Sequence, residues 1–382
     1  RKGCFLMRRF YIPDEILKTV EKPGRYTGGE LNSVTKDLQN VDVRIALCFA
    51  DNYDIGMSHL GFKMLYQLLN ERKTTWCERV FAPWPDLEDR MREKGYRLFA
   101  LESQQEIRHF DLAAFSLQYE MSYTNVLNML DLAGIPLRAE ERGEGDPFVF
   151  AGGPAANNTE PMADFFDFYN LGEGEEMLPE IVETFADCKK KGLSRRETLL
   201  RIARIEGVYV PSFYEPVYNE ACRMIALNPK EEYRETVPKR IRKRLVRDFE
   251  NAYFPDRFVV PNVEVVHDRI MLEIFRGCIR GCRFCQAGFI YRPFREKSIG
   301  KIAGQVRDLC ENTGYEELSL SSLSTSDHSG IGEMLTELIK YTEDEHVNLT
   351  LPSLRIDNFS DELLEKLRYL QPNIIGGQAG RT

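Results

Sequence analysis

The sequence predicts an α/β protein, and three features carry that expectation. Short apolar runs of the kind that form buried parallel strands alternate with stretches of helical period. Several of those runs end in glycine-rich turns, as at Gly152-Gly153-Pro154 and Gly172 to Glu175. The alternation then restarts after a charged stretch, residues 231–262, that holds Pro238, Pro255 and Pro261. Strands alternating with helices imply a parallel sheet with right-handed crossovers. An open parallel sheet is therefore expected first, followed by a second α/β region.

The elements follow in order. Residues 8–40 are polar, with a helix expected from Pro13 to Glu21 and a loop through Gly24, Gly28 and Gly29. Val43–Ala50 reads as a buried strand, and Leu60, Met64, Leu65, Leu68 and Leu69 mark one side of the helix after it. Val80–Trp84, Phe110–Gln118, Phe148–Pro154 and Phe165–Leu171 read as further strands. Helices are expected over Leu87–Lys94, Tyr123–Ala133 and Met177–Phe185. Gly207–Pro211 and Arg223–Leu227 read as β segments. In the second region, strands are expected at Arg269–Phe275, Glu317–Leu323 and Val347–Leu351. The helices there are Ile299–Asn312, Gly332–Thr342 and Asp361–Tyr369. The implied organisation is an extension over 1–42, an α/β domain over 43–205, β segments and a basic connector over 206–262, and a second α/β core over 263–382.

Composition narrows the classes. The chain has 382 residues, 43% of them hydrophobic, enough for sizeable cores. A net charge of −9 argues against general coating of nucleic acid, though not against a local basic patch. Nine cysteines, three of them in one run, do not resemble a secreted disulfide framework, so reduced thiols and a cytoplasmic setting are expected. No secretory leader and no apolar run approaching the roughly 20 residues of a membrane span is expected. Met7 opens a start-like run, and the tail after Gly376 stops abruptly, so the chain reads as a fragment.

The most specific chemistry lies in Cys278, Cys282 and Cys285, spaced C-x3-C-x2-C between Arg276 and Gln286. A [4Fe–4S] cluster is usually held by four cysteine thiolates. Here no fourth cysteine is close by, the nearest downstream being Cys310. Three ligands leave one iron open to a substrate or cosubstrate. The alternative is zinc, which prefers four ligands in a closed structural site. The extra candidates His267, Cys310 and His328 form no matching spacing.

This run resembles the signature of the radical S-adenosylmethionine enzymes, including the aromatic Phe284 just before the third cysteine. The resemblance implies that the three cysteines hold the cluster and that S-adenosylmethionine chelates the fourth iron, with Phe284 and Gln286 beside it. It also implies a partial barrel of six βα units, of which only about half is legible before Thr382. An open half-barrel is expected to be a poor enzyme by itself. A one-electron donor such as flavodoxin or ferredoxin is implied as partner.

Around the run, Arg276, Arg280, Arg283, Arg292 and Arg295 make the loop positive, which favours cluster thiolates. Gly277 and Gly281 allow a close wrap. After the next strand, the resemblance implies a Gly-Gly-Glu-like stretch for the methionine amino group. This chain instead offers Ser322, Ser324, Thr325 and Asp327, as cofactor contacts or as a polar turn with Asp327 capping the next helix. Ser353 and Arg355 follow the third strand as candidates for ribose or carboxylate binding.

In the first region, Gly152, Gly153, Gly172 and Gly174 stand at expected strand ends, where open parallel sheets bind ligands. Together the two turns resemble those of cobalamin-binding-type domains ahead of some radical enzymes, a flavodoxin- or Rossmann-like fold. The resemblance implies either cobalamin as a second cofactor or a degenerate domain that keeps the fold and binds nothing. The related motif Asp-x-His-x-x-Gly is not matched by Asp54 to Gly61, so His59 is either a cobalt ligand or a histidine bonded locally at a helix start. The run Lys239–Arg247 is a solvated face, a partner for acidic neighbours, or a site for RNA. The expected function is reductive cleavage of S-adenosylmethionine to a 5′-deoxyadenosyl radical, serving cobalamin-dependent methyl transfer or rearrangement. The rivals are a cobalamin-free radical enzyme acting on RNA or a ribosomal component, and a non-catalytic iron–sulfur or zinc module.

Overall fold

The computed structural model describes residues 10–355 together with Glu365 and Lys366. The chain divides into two compact units, Arg1–Val246 with Pro261–Val265 and Arg247–Val260 with Val266–Thr382.

In the first unit, α1 (Asp14–Leu17) is shorter than expected and stops well before Pro23. β1 (Val43–Phe49) is buried along nearly its whole length, as a strand covered on both faces should be. The short α2 (Tyr53–Gly56) and then α3 (Leu60–Asn70) follow. The buried face of α3 is formed by Phe62, Met64, Tyr66 and Leu69, while Leu65 and Leu68 are only half-buried.

β2 (Thr75–Phe81) starts earlier than its apolar residues suggest, and every one of its residues is buried. Its charged members are neutralised inside the fold. The Arg79 guanidinium donates to Glu30 at 3.0 and 2.7 Å and to Glu102 at 2.6 Å. Glu78 accepts from Arg44 at 2.6 Å.

The rhythm continues through α4 (Pro85–Lys94), β3 (Leu112–Ser116), α5 (Tyr123–Ala133), β4 (Phe148–Gly152) and β5 (Phe168–Asn170). Next come α6 (Gly174–Lys190), α7 (Arg195–Ile202), which had no apolar signal strong enough to be expected, and β6 (Val208–Tyr209). The sheet order is β2-β1-β3-β4-β5-β6. All neighbours pair in parallel except β5 and β6, so the expected parallel sheet acquires one antiparallel edge. The order reverses between β1 and β3, the switch point at which such sheets open a crevice. A hairpin, β7 (Tyr214–Tyr218) with β8 (Met224–Pro229), follows, and only its second strand was legible beforehand.

In the second unit the expected first strand divides. β9 (Ile270–Glu273) joins a parallel sheet, and β10 (Phe275–Arg276) turns away to pair antiparallel with β11 (Arg295–Glu296). Between them lies the cysteine loop with a short helix, α8 (Ala287–Ile290). Then come α9 (Ile299–Thr313), β12 (Glu317–Ser321), α10 (Ile331–Asp344) and β13 (Asn348–Thr350). β12 is central, parallel to β9 and to β13. Three parallel strands are present among the described residues. Of the helix expected over 361–369, Glu365 and Lys366 are helical and the rest lies outside the described residues.

Candidate cofactor site

The register of the second sheet sets the site. Glu273 on β9 sits opposite Ser321 on β12, and Ser319 opposite Thr350 on β13. All three strands therefore end at one face, and their following loops carry the expected residues.

The first loop holds the cysteines, each half-exposed. Gly277 starts it with φ +93°, and a Cβ there would lie 2.8 Å from the Pro293 carbonyl and 2.9 Å from the Tyr291 carbonyl. The left-handed backbone and this closeness exclude larger residues. Gly281 meets neither condition: nothing lies within 4 Å of a Cβ built there. The Cys278 sulfur accepts the Arg280 N–H at 3.4 Å, and the Cys285 N–H donates to the Cys282 carbonyl at 3.2 Å, turning the chain between the second and third thiols. Ile279, Phe284, Phe289 and Leu323 give the surroundings an exposed apolar character, Phe284 being 93% exposed. Gln286 begins α8, its carbonyl accepting from Phe289 and Ile290 and its side chain exposed.

The other two loops join the first. Asp327, with 1% of its side chain exposed, accepts two bonds from the Arg280 guanidinium, one of them at 2.8 Å. Asp327 is thus the tether of the cysteine loop, and the expectation that it caps the next helix is corrected; Gly330 holds that position. The Thr325 N–H donates to the Ser353 carbonyl at 3.2 Å, and its hydroxyl to the Pro352 carbonyl at 2.7 Å. Ser322 and Thr325 share a 2.9 Å bond. Arg355 reaches toward the Cys282 sulfur, with 4.0 Å between Nη1 and Sγ. Ser324 is 2% exposed, and its hydroxyl has no hydrogen-bond partner among the described residues. A buried hydroxyl left unpaired at a strand end suits a polar ligand group.

The donors at the site are three thiols, the ligand type that iron–sulfur clusters use. Among the described residues no three His, Cys, Asp or Glu side chains are gathered to hold a single metal ion. His328 is taken: its Nδ1 accepts the Gly330 N–H at 3.1 Å, so Nε2 carries the proton and donates to the Lys297 carbonyl at 3.1 Å. Cys310 lies half-buried in α9, where burial raises its pKa. Among the described residues Cys278, Cys282 and Cys285 remain, thiols of the kind that ligate the irons of a cube.

In the first unit the switch-point crevice is flanked by the loops after β1 and β3. Ile55, Tyr119 and Met121 are exposed there, Met121 to 81%. His59 caps α3, its Nδ1 accepting the Phe62 N–H at 3.1 Å. Burial lowers its pKa to about 4, partly offset by a bond with Gln118. The neutral ring therefore carries its proton on Nε2. Ligation of cobalt through Nε2 needs that proton on Nδ1, where the Phe62 N–H sits. The geometry supports the local-capping alternative for His59.

The glycine turns bear internal contacts. Gly153 abuts the Leu117 carbonyl, 2.5 Å from where a Cβ would be, and Gly152 lies against Asn170. The buried Asn170 Oδ1 has no partner among the described residues. At Gly172, φ +120°, a Cβ would lie 2.1 Å from the Arg244 carbonyl. The basic connector is seated there: the Arg244 N–H donates to the Leu171 carbonyl at 2.8 Å, and the Glu173 N–H to the Arg244 carbonyl at 3.0 Å. The Arg244 side chain reaches Glu180 at 2.7 Å and Glu176 at 3.3 Å. Gly174 opens α6 against Leu65. Sequence reasoning missed the Arg280–Asp327 and Arg244–glutamate pairs because each joins residues far apart in the chain.

Comparison with known proteins places the chain. The family described as radical SAM proteins, N-terminal, matches residues 61–211, and the radical SAM superfamily matches residues 272–378. Residues 272–378, which carry the three cysteines, are thus similar to the radical S-adenosylmethionine superfamily, and residues 61–211 to the N-terminal region of such proteins. It is similar to an uncharacterized protein of Methanocaldococcus jannaschii, 25% identical over 289 residues, covering 74% of this chain and 52% of that one. It is also similar to structures of the radical S-adenosylmethionine methyltransferase TsrM from Kitasatospora setae. One has cobalamin and a [4Fe–4S] cluster bound (11% identity, 85% of this chain, 56% of that chain, TM-score 0.48). Another has tryptophan substrate and a SAM analog bound (13%, 85%, 57%, 0.48). The chain spans about half the length of these relatives. Among the described residues no helix is long and apolar enough to cross a membrane.

Proposed function

We propose that this chain carries the cofactor-binding part of a radical enzyme, with Cys278, Cys282 and Cys285 holding a [4Fe–4S] cluster whose fourth iron takes S-adenosylmethionine. When bound, these cofactors supply one-electron reductive cleavage to methionine and a 5′-deoxyadenosyl radical, the electron coming from a donor such as flavodoxin or ferredoxin in the cytoplasm. The observation that carries the reading is the convergence of three loops at one sheet end: three thiols, the Arg280–Asp327 tether, and a buried Ser324 hydroxyl without a hydrogen-bond partner among the described residues.

The chain's own residues have distinct duties. Gly277 closes the loop, the Arg280 backbone N–H donates to the Cys278 sulfur, and Arg355 places positive charge near Cys282. Thr325 locks the second loop onto the third through the Pro352 and Ser353 carbonyls, and Ser324 and Ser353 are the polar residues these loops offer to a nucleoside. In the first unit the crevice between β1 and β3, with Ile55, Tyr119 and Met121, offers an apolar floor for cobalamin held without the His59 imidazole. The reaction proposed is methyl transfer, or a rearrangement, at an unactivated carbon. The connector is engaged by Glu176 and Glu180, which supports an acidic neighbour over RNA.

Anaerobic reconstitution tests this. The wild type is expected to take up about four iron per chain, and Cys282→Ala to lose most of it. After incubation with hydroxocobalamin and gel filtration, His59→Asn is expected to retain the cobalamin absorption of the wild type. One zinc per chain, or iron uptake indifferent to the cysteines, contradicts the cluster; no retained absorption in the wild type contradicts cobalamin.

A further inference from the structure

The ladder that closes the cysteine loop sets two cations against each other. β10 and β11 pair with Arg276 directly opposite Arg295. Like charges facing across a ladder destabilise it. A third cation, Lys297, follows two residues later and is 2% exposed. All three surround one ring. The Arg276 guanidinium carbon lies 5.1 Å from the Phe249 centroid, that of Arg295 5.4 Å, and the Lys297 ammonium 5.5 Å. Phe249 is 3% exposed.

Supporting contacts fix this arrangement. The Lys297 ammonium is also 4.3 Å from the Phe254 centroid and donates to Gln305 at 3.3 Å. Glu273 accepts from Arg276 at 2.9 and 2.8 Å. Glu250, next to Phe249, accepts the Ser298 N–H at 2.7 Å and its hydroxyl at 2.5 Å. The ring is therefore held from its own side as well. The negative face of an aromatic ring attracts cations, more strongly where water is excluded.

We propose that Phe249 is a positioning residue of the cysteine loop. Its ring gathers Arg276, Arg295 and Lys297, offsets their repulsion, and pins together the two ends of the loop that carries the thiols. Arg276, one of the gathered cations, stands two residues from Cys278, where positive charge stabilises the more negative, reduced form of a cluster. That second half rests on the cluster reading above; the loop closure does not.

Amide hydrogen exchange on the metal-free full chain tests the closure. Phe249→Leu is expected to speed exchange at Phe275–Glu296 roughly tenfold, and Phe249→Trp, which keeps a ring face, to stay within about twofold of wild type. If F249L does not fold, F249M replaces it with the same two outcomes. Equal effects of the aliphatic and Trp variants overturn the proposal, because the ring then acts by bulk alone. In iron-loaded protein, F249L is expected to shift the cluster's midpoint potential to more negative values, with F249W near wild type. An unshifted potential overturns the electrostatic half. Failure of the wild type to bind iron overturns the cluster reading instead, and the exchange comparison still decides the closure.

Discussion

His59 shows how one side chain can be diverted from a ligand's role by the helix it starts. A cap needs a lone pair at Nδ1, and the Phe62 N–H takes it. Burial holds the folded pKa at about 4, below the ordinary 6.5. The unfolded chain therefore binds the extra proton between those values. The stability from burying a neutral ring is complete above pH ~6.5 and is lost as the pH falls toward about 4. His59→Asn keeps an acceptor for the cap but does not titrate. It is expected to remove up to about 3 kcal/mol of the acid-side loss, measured by urea unfolding at pH 7 and pH 4.5. Parallel pH profiles for variant and wild type contradict the assignment. The three cysteines were legible because ligand spacing is local in sequence. For Asp327 the sequence offered a cofactor contact or a helix cap, and neither alternative named its partner Arg280, which lies in another loop.

The elements were legible where burial is apolar and hidden where it is ionic. β1, β3 and β4 show continuous apolar runs, and their strands fall within the expected ranges. β2 begins before its expected start because Glu78 and Arg79, which read as surface residues, are buried in ion pairs. β6 falls within its expected segment, but its reversal depends on pairing that no periodicity records, and β7 was missed. The Arg79 cluster gives an element-scale prediction. Burial raises the Glu102 pKa, while Arg79 holds that of Glu30 down against its own burial. Arg79→Ala leaves two buried carboxyl groups without a counter-charge and is expected to cost roughly 3–5 kcal/mol in urea unfolding. Glu30→Gln and Glu102→Gln added to Arg79→Met should recover much of that loss. A change below about 0.5 kcal/mol for Arg79→Ala contradicts the network's role.

Across the whole molecule, chemistry concentrates where parallel strands end, and the chain repeats that solution in both units. In the first, the strand order reverses between β1 and β3, where such sheets bind ligands, while the Gly172 turn is filled by the connector. In the second, three loops meet around three thiols. The measurement that tests the central claim most directly is electron paramagnetic resonance of the reduced, iron-loaded chain with and without S-adenosylmethionine. An iron left open by three cysteines predicts a cluster signal that changes when the sulfonium compound is added. Alanine at Cys278, Cys282 or Cys285 is expected to abolish it. A signal indifferent to S-adenosylmethionine, or one that survives loss of a cysteine, contradicts the account.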